Sequence, residues 1–375
     1  MKPLVKAWKA RRIALMLLSL SAFTASAHPD SSDSQSSSTD PVLGERIAKG
    51  VALKGRLWLR GTMGKNARGD RSGGLVSVGL ADQSRKVHFE VGTLDLEKDG
   101  DDLWVLRRSA SSQQKFIVSI WKKDAFEDVG RFESAGSDVP FALLLSGGIP
   151  TVVSERTVRV MSPDHSWRSV SLKGNFRLGV QAAIAKPRVG GSIYVGMNMG
   201  EWGGGLQRVD TTTGEITKVE RRDDKGLCSG PLNSDCDPVT GVIADPQNSD
   251  CVLATVGLVH LFRSDGRLLR VCGDRVTLVS EEQTKGNSGS KQTEAFYGLV
   301  PADSGFWAIT WRAVYHFGPD GKQDKQYPIP KLKPFSGIHL SREIPGVIVV
   351  RTDVNWAVST SGYTPLLVPL DNFQP

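Results

Sequence analysis

The sequence predicts an all-β protein behind an export leader, and three observations carry that expectation. Short runs rich in Val, Ile, Trp, Phe and Tyr recur along the chain: DLWVL, FIVSIW, TVRVM, SIYVG, CVLATV, LVHLF, GFWAIT, AVYHF and GVIVV. Each is bounded by Gly, Pro, Asp or Ser, the punctuation of strands joined by tight turns. Helical periodicity is scarce. Forty glycines suit the many turns that such short strands need.

The leader comes first. Lys2, Lys6, Lys9, Arg11 and Arg12 form a basic start, IALMLLSLSAF an apolar run, and Ala25-Ser26-Ala27 a small-x-small cleavage pattern. A permanent anchor needs about 20 apolar residues, and this run is shorter and grades into Ser, Thr and Ala. No cysteine lies near the cleavage point to take a lipid. Residues 1–27 therefore read as a signal peptide cut after Ala27, which predicts a periplasmic or secreted protein with no stable membrane anchor after cleavage. Residues 28–40, HPDSSDSQSSSTD, are too polar to offset their ordering entropy and read as a disordered leader. The formal charge is +7, but five of the 47 basic residues belong to the signal, leaving 42 against 40 acids. A near-neutral mature chain excludes nucleic acid as the expected partner.

The folded part, residues 41–375, repeats itself. The pattern is an apolar strand, a short loop, a second apolar strand, a polar turn and a mixed strand. Its clearest copies, from the second strand onward, are GLQRVDTTTGEITKVE, LVHLFRSDGRLLRV and AVYHFGPDGKQDKQYPI. Weaker copies are GLVSVGLADQSRKVHFEV, FIVSIWKKDAFEDVGRFE, TVRVMSPDHSWRSVSL and NWAVSTSGYTPLLVPL. A residue near the end of that strand falls at Val78, Ile120, Val160, Val209, Phe262, Phe317 and Val358, at intervals of 40 to 55 residues. A four-stranded propeller blade takes about 40–50 residues, so the spacing predicts a single β-propeller of seven four-stranded blades. The first copy lacks an obvious innermost strand unless residues 50–53 supply it, and an open ring would leave strand edges unpaired. Ring closure is therefore expected to borrow a strand from one terminus.

Two stretches resemble known propeller repeats. GGGLQRVDTTTGEITKVE resembles those of bacterial sensor and quinoprotein-like propellers. VIADPQNSDCVLATVGLVHLFRSDG resembles the Asp-box class, although no Trp follows Gly266. The resemblance implies architecture and no particular activity.

All four cysteines, Cys228, Cys236, Cys251 and Cys272, lie close together in sequence. An even, clustered set in an exported chain reads as disulfides, with three connectivities. The loop CSGPLNSDC can turn tightly, which favours Cys228–Cys236 and leaves Cys251–Cys272. No close Cys or His pairs suggest zinc, and no metal or cofactor is expected. The biased segment EEQTKGNSGSKQT, residues 281–293, reads as a long surface loop.

Candidate binding residues fall where second strands run into the loop before the third. Arg60, Arg107, Arg312 and Arg351 recur at second-strand ends and could grip an anion bidentately, or pair with nearby acids such as Asp353. The loop MNMGEWGGG has a glycine run that permits close backbone approach, and it would project Asn198, Glu201 and Trp202, side chains suited to sugar or peptide recognition. The basic loop of residues 61–74 reads as a solvated loop. His260 and His316 sit inside strand runs and read as structural. Trp58, Trp104, Trp307 and Trp311 are expected to pack between blades.

No G-x-S-x-G, H-E-x-x-H, P-loop or Rossmann pattern occurs, so catalytic residues are unassigned. The leading expectation is an exported, monomeric binding or scaffold protein that holds a protein, glycan or other polymer on one face. The alternative is a glycoside hydrolase or lyase acting on an anionic polysaccharide, as sialidase-like propellers hold a carboxylate with clustered arginines. Glu201 or Asp353 would then be the acid/base, with Tyr194 a weaker candidate. A quinoprotein-like dehydrogenase would need repeated Trp-docking motifs and a central calcium site, which this sequence does not assemble.

Overall fold

A computed structural model describes residues 42–43, 46–62, 72–136, 138–174, 181–225, 228–260, 263–285, 291–302, 304–310, 312–328, 338–344, 347–352 and 366–369. The signal peptide, the Ser-rich leader, Trp311 and Asp353 lie outside these residues. The described chain is all-β, and no helix in it is long and apolar enough to cross a membrane. It forms two compact units, Met1–Ser137 with Ser341–Pro375, and Asp138–Leu340.

The first unit holds a seven-stranded antiparallel sheet in chain order: β1 (Arg46–Leu53), β2 (Arg56–Thr62), β3 (Gly73–Gly79), β4 (Arg85–Asp99), β5 (Asp102–Arg108), β6 (Lys115–Lys122) and β7 (Ala125–Glu133). Strand β4 is 15 residues long and serves twice: its first part pairs with β3 and its last part with β5. The sheet is thus two four-stranded meanders sharing one strand, and Gly92, at φ +87°, marks where β4 passes from one meander to the other. The meanders pack through Leu53, Trp58, Leu75, Leu96, Leu103 and Trp121. Three further strands close the chain: β26 (Ile338–Ile344), β27 (Val347–Thr352) and β28 (Leu366–Pro369).

The second unit repeats one motif four times. Its sheets are β8 (Pro140–Ser146), β9 (Ile149–Ser154), β10 (Thr157–Met161) and β11 (Trp167–Ser171); then β12 (Gln181–Ala185), β13 (Ser192–Asn198), β14 (Gly204–Asp210) and β15 (Ile216–Val219). These are followed by β16 (Val239–Ala244), β17 (Cys251–His260), β18 (Arg263–Cys272) and β19 (Arg275–Ser280), and by β22 (Phe296–Pro301), β23 (Phe306–Thr310), β24 (Ala313–Phe317) and β25 (Gln323–Pro328). Each is an antiparallel meander whose neighbours pair in sequence order. Because strand side chains alternate between faces, β17 serves two cores at once. Val252, Ala254 and Val256 pack with Tyr194, Leu206 and Leu269, while Leu253 packs with Phe296, Phe306 and Phe317. Burial on both faces explains why CVLATV is apolar at every position but Thr255. The first strands β12, β16 and β22 lie side by side.

Two local expectations change. The segment 281–293 is not plain loop: β20 (Gln283–Lys285) and β21 (Lys291–Thr293) pair as a small hairpin within it. The copy LVHLFRSDGRLLRV does not turn at Ser264-Asp265-Gly266. Strand β17 continues through LVH, and β18 already begins at Arg263, so Gly266 pairs with Gly257 inside the ladder. These two glycines face the chain that leads into β22. A Cβ on Gly266 would sit 2.0 Å from the Glu294 carbonyl oxygen, and one on Gly257 would overlap that of Phe296. The polar triplet that reads as a turn is the place where another segment crosses the hairpin.

Candidate functional site

The loop between β13 and β14 and the end of the β17–β18 hairpin meet in the second unit. Asn198 ends β13, and its Oδ1 accepts a hydrogen bond from the Gly200 amide at 2.9 Å. That bond opens a short 3-10 turn, Gly200–Trp202. The Gly203 amide donates to the Gly200 carbonyl, and the Met199 amide donates to the Gly203 carbonyl. Trp202 projects from this turn with 74% of its surface exposed. Beside it the Glu201 carboxylate meets Nδ1 of His260 at 2.6 Å.

The glycines after Trp202 are required by what lies beneath them. Gly205 has φ +78°, and a Cβ there would meet Ser234 Oγ at 2.6 Å; one on Gly203 would meet the Ser234 carbonyl oxygen at 2.6 Å. The amides of Gly204 and Gly205 donate to the carbonyls of Ser234 and Asp237, at 3.0 and 2.9 Å. Ser234 lies in the loop closed by Cys228–Cys236 and Asp237 directly follows it; the second disulfide, Cys251–Cys272, joins facing residues of β17 and β18. The Asn233 amide of the loop donates to Asp237 Oδ2 at 2.7 Å. Arg267 Nη2 donates to Asp237 Oδ1 at 2.9 Å and Nη1 to the Gly230 carbonyl at 2.8 Å. Arg267, Asp237, the disulfide loop and the glycine run thus form one continuous support under Trp202.

Electrostatics differ across this support. Burial pushes the Asp237 carboxyl up to about 6, against the pull of Arg267 and the Asn233 amide. Burial acts the same way on Glu220, but hydrogen bonds from Ser234, Arg222 and Lys218 overcome it and hold that carboxyl near 2. Arg222 also binds Asp235 at 2.9 Å. On the far side of the disulfide loop a cleft of about 350 Å³ opens beside Cys228, Pro231, Leu278 and Arg267.

The arginines have local roles. Arg107, at the end of β5, binds Asp128 at 2.8 Å, donates to Ser119 Oγ, and lies 4.9 Å over the Phe89 ring. Arg312, just after β23, donates to Thr284 Oγ1 at 2.9 Å and stands 3.6 Å from the buried Glu294 carboxylate. Arg60 lies half-buried near the end of β2, and Arg351 sits in β27, where side chains are not described. Tyr194 does not qualify as an acid/base: it is 1% exposed and donates to the Gly273 carbonyl at 3.2 Å. His316 is held between Asp324 and the Ser304 carbonyl, as a structural histidine is. His260 lies in a strand, as expected, at the last position of β17, where it is exposed and meets Glu201, a contact that sequence reasoning missed.

No family model matches the chain, and no curated protein matches it. Among solved structures, Kluyveromyces lactis Hsv2 with loop 6CD replaced by a Gly-Ser linker is similar at a TM-score of 0.44 and 11% identity, covering 81% of this chain and 88% of that one. Kluyveromyces lactis Hsv2 itself is similar at a TM-score of 0.42 and 10% identity, covering 80% and 90%. With TM-scores below 0.5, nothing said of this chain rests on that likeness.

Proposed function

We propose that the chain is an exported β-propeller of seven four-stranded blades that binds a protein or polymer through the face carrying the Trp202 loop. Four-stranded meanders stacked face to face with their first strands adjacent support the propeller reading, and the repeat spacing supports the blade number. Two disulfides are compatible with an oxidising, exported environment. The observation that carries the binding reading is Trp202, a large apolar side chain 74% exposed on a turn that glycines and a disulfide loop hold in place. Loops on a rigid scaffold are where binding concentrates, and an ordered aromatic ring is a low-entropy anchor. Arg60, Arg107, Arg312 and Arg351 are proposed as further ligand contacts, each near the end of its own strand. Glu201 is partnered by an imidazole, whereas glycoside hydrolysis needs two carboxyl groups across the bond, so binding is preferred to catalysis.

The test immobilises the mature chain and recovers partners from secreted and envelope fractions of the source cells. Trp202→Ala is expected to lower recovery strongly, and the four arginine-to-Ala variants to lower it less. Equal recovery by Trp202→Ala and the unsubstituted protein would remove this face from the case. N-terminal sequencing of the exported protein is expected to begin at His28.

A further inference from the structure

We infer that the ligand of the Trp202 face is an uncharged polysaccharide, bound by stacking one sugar ring on the indole; this rests on the binding reading above. The apolar feature is a single planar ring raised on a turn. The neighbouring side chains are polar: the Glu201–His260 pair at 2.6 Å, Asn198 at the root of the turn, and Asp235 under Gly203. A protein hot spot is surrounded in its complex by further contacts that exclude water from it. Here the ring stands out of the surface, and the large apolar neighbour in its loop is Met199, at 39% exposure. A pyranose suits this arrangement because one face is a flat patch of C–H groups and its edge is a ring of hydroxyls. The face can cover the indole while the hydroxyls meet groups that accept and donate. Glu201 supplies carboxylate oxygens, and His260 presents Nε2, since its Nδ1 is engaged by Glu201.

Charge selects the kind of sugar. Arg222 is bound to both Glu220 and Asp235, and Lys218 to Glu220 and Asp235, so the nearby cations are already matched by acids. Glu201 adds a further carboxylate next to the ring. A uronate or sialate carboxylate would face that charge with no unmatched guanidinium to receive it among the described side chains of this face, whereas a neutral hexose or N-acetylhexosamine would not. This inverts the anionic substrate that the recurring arginines suggest.

The experiment is affinity electrophoresis of the mature chain through gels containing neutral glucans, mannans, xylan, N-acetylglucosamine polymers or polyuronates. The expected result is retardation by at least one neutral polymer and by none of the polyuronates. Trp202→Ala should weaken that retardation about tenfold to hundredfold in dissociation constant, the scale of one aromatic side chain's burial. Trp202→Phe should restore most of it, and Glu201→Gln should cost about threefold to tenfold, one hydrogen bond's worth. Retardation by polyuronates alone, or retardation indifferent to Trp202→Ala, overturns the inference. The inference also fails, with the binding reading intact, if no gel retards the chain but Trp202-dependent recovery from envelope fractions is abolished by protease and survives periodate. Absence of both retardation and Trp202-dependent recovery overturns the two together.

Discussion

Two tryptophan–histidine neighbourhoods, one in each unit, show how placement rather than residue type assigns a role. In the first unit Trp58 is 1% exposed, its ring 4.7 Å from that of His88, with Trp121 and Phe126 packed around both. Burial, with the charges of Lys86 and Arg56, depresses the His88 pKa to about 4, and its Nε2 meets Ser77 Oγ at 2.8 Å. In the second unit Trp202 and His260 sit at loop and hairpin ends, and the imidazole has a carboxylate partner instead of an aromatic nest. Trp58 is core, with His88 half-buried against it. The second pair is available to a ligand.

The largest expected effect comes from breaking the buried pair. Trp58→Ala should cost about 3–5 kcal/mol by cavity formation, read as a lower urea midpoint, whereas Trp202→Ala should move stability by less than about 0.5 kcal/mol. A comparable loss in both would collapse the contrast. Next comes pH, where the two regions have opposite signs. His88 has a depressed folded pKa, so the unfolded chain binds its proton first and stability falls as pH drops from about 6.5 toward 4. Asp237 has a raised folded pKa, so its contribution is full below the unfolded value of about 3.9 and is lost as pH rises through about 6. That contribution is at most about 3 kcal/mol. His88→Gln should flatten the acid-side loss and Asp237→Asn the loss toward neutrality, each measured by urea unfolding across the range.

Opening the support should come third. Cys228→Ser with Cys236→Ser should cost about 2–3 kcal/mol and make the chain after Trp202 a site for chymotrypsin, while Trp58 stays protected. Gly205→Ala is the smallest of the structural changes, about 1–3 kcal/mol, because both its positive φ and the contact with Ser234 oppose a Cβ. It should also reduce whatever binding Trp202 provides. Full binding by Gly205→Ala would show that the turn does not depend on its support.

Much of the fold was legible. The runs of β-branched and aromatic residues became strands, GLQRVDTTTGEITKVE became β14, a turn and β15, and AVYHFGPDGKQDKQYPI became β24 and β25. These are local signals: period-2 burial and turn chemistry act within a dozen residues. The turn that carries Asn198, Glu201 and Trp202 was also legible as a loop, because a glycine run beside polar and aromatic residues marks one. The Glu201–His260 contact was not, nor the length of the β17–β18 ladder, because Ser264-Asp265-Gly266 has the composition of a turn and the structure uses it as strand. A composition rule cannot distinguish a glycine that bends the chain from one that makes room for another segment.

The sequence by itself determined most of the strands and their chain order, and favoured the Cys228–Cys236 bridge among three connectivities. Tertiary structure alone decided that one long strand serves two meanders, that Gly257 and Gly266 admit the chain entering β22, and that Glu201 meets His260. Those outcomes depend on which backbone passes over which. Steric room between segments distant in sequence is a property of the packed molecule, with no local residue pattern to announce it.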